Sequence, residues 1–121
     1  MLAGVGGAGN GHLSVGSKTG HGLFAAGADA NGNGNIEVSS KTGVNLIKAG
    51  ANEGGGVLVI RSTTGKEVIV AGSSVSGYGA LMALKNKTGE TIVQLRADEY
   101  GNGVVGVYNR KGMGHTLEPG P

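Results

Sequence analysis

The 121 residues are enough for one small domain, and their 27 glycines follow no strict third-position period, which excludes collagen. Leu, Ile, Val and Phe still number 28, so apolar side chains are available for burial, but one Phe, three Tyr and no Trp restrict any core to a thin layer of aliphatic groups. A formal charge of +2 from scattered basic residues does not make a nucleic-acid footprint, no apolar run is long enough for a membrane helix, and the absence of cysteine removes disulfides and thiolate metal sites.

Internal repetition organises the chain. A turn glycine recurs at Gly20, Gly43, Gly65, Gly89 and Gly112, at spacings of 23, 22, 24 and 23. Seven and five residues before each stands an apolar pair: Leu13/Val15, Ile36/Val38, Leu58/Ile60, Met82/Leu84 and Val105/Val107. Each pair alternates with polar or small residues at the period of a strand. Three and six residues after the turn come Leu23/Ala26, Leu46/Ala49, Val68/Ala71 and Ile92/Leu95, with Phe24, Ile47, Ile69 and Val93 between them. A spacing of three interrupts strand alternation, and a β-bulge there is the expectation. Turns such as Ser17-Lys18-Thr19-Gly20 and Ser40-Lys41-Thr42-Gly43 carry the signature of a type I hairpin turn closed by a bulged glycine. Links such as Gly32-Asn33-Gly34, Gly77-Tyr78-Gly79 and Gly101-Asn102-Gly103 supply a second turn in each unit.

The predicted fold is therefore all-β, built from tandem two-strand repeats of about 23 residues. The units fall at about 9–31, 32–53, 54–76, 77–100 and 101–112, after a half-repeat at 1–8 and before a C-terminal cap at 113–121 closed by Pro119 and Pro121. Ala3 and Gly4 align with Ala26 and Gly27, so the array is expected to open within a repeat that continues a longer array or is completed by another molecule. A lone hairpin is marginal in water, so units must stack. They can do so as a β-meander whose apolar faces close a β-prism fibre between chains, which the hairpin turns favour. Alternatively, each unit forms one coil of a single-chain β-solenoid, which the unit length also suits.

The segments Gly32-Asn33-Gly34-Asn35-Ile36-Glu37-Val38-Ser39-Ser40-Lys41-Thr42-Gly43 and Ala97 to Gly112 resemble glycine-rich hairpin arrays of bacterial surface and extracellular fibrous proteins. They are also similar to the shafts of phage tail fibres and other trimeric β-fibres. The resemblance spans residues 9–112 in period and style. It implies a fibrous, often trimeric, outward-facing structural role and brings no catalytic residue with it.

Several motifs within this repeat pattern have a chemical reading. Gly4-Val5-Gly6-Gly7-Ala8-Gly9 follows the dinucleotide fingerprint, which needs a strand before it and a helix after it, and no helical period is present. Gly11 to Thr19 is one residue out of register with a phosphate loop, and its Lys-Thr pair recurs as Lys41-Thr42, which points to a turn. Asp29-Ala30-Asn31-Gly32-Asn33-Gly34-Asn35-Ile36 follows the first eight positions of a calcium loop, with Ser40 where the bidentate acid should stand. Asp29, Asn31 and Asn33 are thus the candidate metal ligands, but Asn and Asp are also the ordinary residues of tight turns, and no cofactor is expected other than calcium at that loop. His12, His21 and His115 occupy different columns of the repeat, with His12 and His21 expected on the outer face. Asn86-Lys87-Thr88 has the form of a glycosylation acceptor at a hairpin tip. No nucleophile, base and orienting group come together, so an enzyme is not expected.

These readings combine into a structural subunit or shaft segment of an extracellular, cell-surface or virion fibre. Its self-association core is Leu13, Val15, Ile36, Val38, Leu58, Ile60, Met82, Leu84, Val105 and Val107. The expected partner is the chain itself, as a homotrimer or a helical polymer, with neither nucleic acid nor membrane insertion and with any glycan or receptor unidentified. The alternative is a β-solenoid binding module for calcium, glycan or ice.

Overall fold

The computed structural model describes residues 1–5 and 9–120. Eleven strands follow in order: β1 Leu2–Val5, β2 Gly11–Gly16, β3 Gly22–Ala28, β4 Gly34–Ser39, β5 Asn45–Asn52, β6 Gly55–Arg61, β7 Glu67–Ser73, β8 Ala80–Lys85, β9 Thr91–Ala97, β10 Gly103–Tyr108 and β11 Gly114–Leu117. Each pairs antiparallel with its neighbours in sequence, so the described residues form one open sheet in the order β1 to β11 and include no helix. Packing between strands is confined to these neighbours. A solenoid coil would need strands of successive turns stacked in parallel, and among the described residues every strand pair is antiparallel. The chain takes the meander because its turns are too tight for crossovers: antiparallel neighbours need only a few residues between them, parallel ones a dozen or more.

The turns explain the repeating punctuation. At Ser17–His21 the Gly20 amide donates to the Ser17 carbonyl (3.1 Å) and the Ser17 amide to the His21 carbonyl (2.7 Å). This pattern recurs at Asp29–Asn33, Ser40–Val44, Ser62–Lys66, Asn86–Glu90, Asp98–Asn102 and Asn109–Met113. It is the three-residue hairpin loop in which a type I turn ends on a left-handed residue. Gly20, Gly43, Gly65, Gly89 and Gly112 take that position with φ between +80° and +98°, a region that costs a residue with a Cβ.

The first residue of each loop completes the turn with its side chain. Asp29 Oδ1 accepts the amides of Asn31 (2.8 Å) and Asn33 (2.9 Å), and Asp98 Oδ1 those of Tyr100 (2.9 Å) and Asn102 (2.8 Å). Asn86 Oδ1, Asn109 Oδ1, Ser17 Oγ and Ser40 Oγ accept the equivalent amides. Short polar side chains that reach their own backbone two residues on stabilise such turns.

The expected bulge is present. Register shifts fall between Val15/Gly16, Val38/Ser39, Ile60/Arg61 and Leu84/Lys85. Phe24, Ile47, Ile69 and Val93 pair with Val15, Val38, Ile60 and Leu84, which leaves Leu23, Leu46, Val68 and Ile92 as the extra residues. The spacing of three in the sequence is this one-residue insertion. The hairpin β10–β11 has no such shift, so His115 pairs directly with Val107. Gly114–Leu117 thereby extends the sheet by one strand within the segment expected to be a cap, and Pro119 comes after it.

Candidate self-association face

Strand alternation and register together sort the side chains into cross-strand rows. On the first face, one row runs Val15, Phe24, Val38, Ile47, Ile60, Ile69, Leu84, Val93, Val107 and His115. The middle row is Ala3, Leu13, Ala26, Ile36, Ala49, Leu58, Ala71, Met82, Leu95, Val105 and Leu117. The third row holds the pairs Val5/Gly11, Ala28/Gly34, Ala51/Gly56, Ser73/Ala80 and Ala97/Gly103. All ten residues of the sequence-predicted association core lie here, in the first and middle rows. Their partners in the same rows are the residues that follow each turn.

No Asp, Glu, Lys or Arg occurs in the three rows. The charged strand residues stand on the opposite face. There Glu37 lies across from Lys48, with Nζ 3.4 Å from Oε1. Glu67 bridges two strands, 3.9 Å from Arg61 Nη2 and 3.0 Å from Lys85 Nζ, while Arg61 Nη1 donates to Asn45 Oδ1 at 2.7 Å.

Burial is distributed in an unexpected way. The apolar face is uncovered: Leu95 is 43 % exposed, and in the predicted core Ile36 is 46 %, Leu58 38 % and Val107 57 % exposed, its other members being half-buried or exposed. The buried apolar side chains among the described residues, Val59, Ala83 and Val104, lie on the charged face. Beside Val104 the Tyr108 ring lies over Gly106, in the space a Cβ there would need. Sequence patterning passed over these residues, although a signal was available. Val57-Leu58-Val59-Ile60 and Leu81-Met82-Ala83-Leu84 carry consecutive apolar residues, the mark of a strand with apolar groups on both faces.

Compact monomers of 11.9 kDa expose roughly 6,000 Å² by the usual mass scaling, whereas this chain exposes 8004 Å². Eleven strands at about 4.8 Å give an apolar face about 50 Å long, and three rows make it about 14 Å wide. That is roughly 700 Å² per copy, close to the roughly 800 Å² each partner contributes to a stable interface. A continuous apolar patch of this size exceeds the few hundred Å² that soluble monomers usually expose.

The other candidate residues have local duties. Asp29, Asn31 and Asn33 share one turn, but Asp29 Oδ1 is engaged by the amides of the other two. The Asn33 amide is the main cause that holds the Asp29 carboxyl below its usual 3.8; the Asn102 amide does the same for Asp98. Among the described residues no three His, Cys, Asp or Glu side chains gather as a metal cluster. His12 faces the charged side between Gly4 and Gly27, His21 sits at a turn, and His115 ends the first apolar row. Asn86 Oδ1 accepts from the Thr88 amide (3.0 Å) and hydroxyl (2.9 Å) at its hairpin tip. In the stretch read as a phosphate loop, β2 runs into a hairpin turn. Gly6, Gly7 and Ala8 of the dinucleotide-like stretch, and with them the end of the half-repeat 1–8, lie outside the described residues, which resume at Gly9 ahead of β2.

The fold and this face define a class of architecture: a one-layer antiparallel meander with one uncovered apolar side. No protein-family model matches the chain, and no curated protein matches it.

Proposed function

We propose that the chain is a structural subunit, a segment of a fibre shaft or filament exposed outside the cell or on a virus particle, that self-associates through its apolar face. The observation that carries this reading is the three-row face itself. It is free of Asp, Glu, Lys and Arg, crosses every described strand, and leaves Leu58 and Leu95 about two-fifths exposed in the single chain. Burying it against other copies supplies the hydrophobic stabilisation that one layer lacks.

Three copies suit the geometry. A six-residue strand spans about 20 Å, which puts the middle of each of three such sheets about 6 Å from a common axis, about the reach of one Leu side chain. The middle row would then fill the axis, with strands perpendicular to it, and the fibre would lengthen along the stack.

The test is mass in solution by light scattering after size exclusion, with negative-stain microscopy. A trimer is expected, and Leu58→Asp, which places a charge in the middle row, is expected to lower the mass to that of one chain. A wild-type chain that is folded and monomeric up to high micromolar concentration overturns the reading.

A further inference from the structure

The apolar face is asymmetric across its width, and the two long edges of the sheet differ in charge. On each even strand from β2 to β10 the first and middle rows hold bulky aliphatic residues and the third holds Gly or Ala: Val38, Ile36, Gly34 on β4 and Ile60, Leu58, Gly56 on β6 are examples. The edge beside the bulky row carries Lys18, Lys41, Lys66, Lys87, Arg110 and Lys111 on its hairpin turns, against the single acid Glu90. The edge beside the small row carries Asp29, Glu53, Asp98 and Glu99 and no Lys or Arg on its described turns.

We infer that copies associate edge to unlike edge. The bulky row and basic turns of one copy lie against the Gly/Ala row and acidic turns of the next, in a head-to-tail ring about an axis parallel to the strand stack. This deepens, and rests on, the self-association proposed above. Rotation about that axis keeps every strand at the height of its counterpart and opposes the first row of one copy to the third row of its neighbour. Where two sheets converge at a corner, two bulky rows would collide and two glycine rows would leave a void; bulky against small fills the wedge. The same rotation brings basic turns to acidic turns, whereas like edges together would repel.

Gly34, Gly56 and Gly103 make the test clean. None has a positive φ, and a Cβ added at each meets no atom within 4 Å in the single chain. Gly34→Val/Gly56→Val should therefore fold at least as well as wild type while filling the space reserved for the neighbour's bulky row. Sedimentation equilibrium is expected to show association weakened at least tenfold, with partial recovery when Val38→Ala/Ile60→Ala is added. Because the chain has no cysteine, the edges can also be cross-linked. Lys41→Cys/Asn31→Cys is expected to give a covalent trimer on oxidation, while either single cysteine variant stays uncross-linked. A Lys41→Cys chain that dimerises through itself, or a Gly34→Val/Gly56→Val chain that associates like wild type, overturns the unlike-edge arrangement while Leu58→Asp still dissociates the assembly. A wild-type monomer overturns the arrangement together with the reading beneath it.

Discussion

Lys85 Nζ lies 3.0 Å from Glu67 Oε2 across the β7–β8 pair, and on the other side Arg61 Nη2 stands 3.9 Å from Glu67 Oε1. One carboxylate thus ties three strands together on the face opposite the apolar rows. The side chains remain 22–39 % exposed, so solvent screens the pairing. Glu67→Gln is expected to cost about 0.5 kcal/mol or slightly more in low salt, and the difference should shrink in 1 M salt. Urea unfolding at the two ionic strengths checks this.

Turn glycines and row glycines should respond oppositely to substitution. Gly65 has φ +83° and open space around a notional Cβ, so Gly65→Ala meets a conformational penalty alone. The expected loss is about 1 kcal/mol. Gly56→Val, at ordinary strand φ, is expected to leave the single chain as stable or more stable. Both should be measured by urea unfolding at a concentration where association is absent.

Acid should weaken the turns. Asp29 and Asp98 are held below the usual 3.8, chiefly by the Asn33 and Asn102 amides respectively. Folded values below unfolded ones mean that their contribution is present above about pH 4 and is lost as pH falls through the folded values. Asn at the same loop position makes the same amide contacts, as Asn86 and Asn109 show. Asp29→Asn/Asp98→Asn is therefore expected to flatten the pH dependence of stability below pH 4 and leave neutral stability nearly unchanged. Urea midpoints across pH 2–7 provide the check.

Calcium is expected to leave the melting temperature unchanged at millimolar concentration, because Asp29 Oδ1 already serves two amides in its own turn. A concentration-dependent rise that is lost in Asp29→Ala would give the turn a calcium site instead.

Much of the architecture was legible from local pattern. Leu13/Val15 and Ile36/Val38 announce strands by their alternation, and Gly20 and Gly43 announce turns because φ near +85° selects glycine there. The spacing Leu23-to-Ala26 announced the bulge, since an inserted residue breaks alternation within a single strand. The burial of Val59, Ala83 and Val104 was harder to see. It depends on what the neighbouring strands place around them, which no count along one strand reveals.

By itself the sequence determined the strands, the turns and the recurrence of apolar pairs, because dihedral preference, turn capping and period-two alternation act over a few residues. Tertiary structure decided that the units join as a meander rather than as coils. It also decided that Ile36 shares a row with residues of every other described strand, and that this row and those on either side of it lie uncovered. Those outcomes depend on cross-strand register and on which surfaces meet, and both are set between segments distant in the chain.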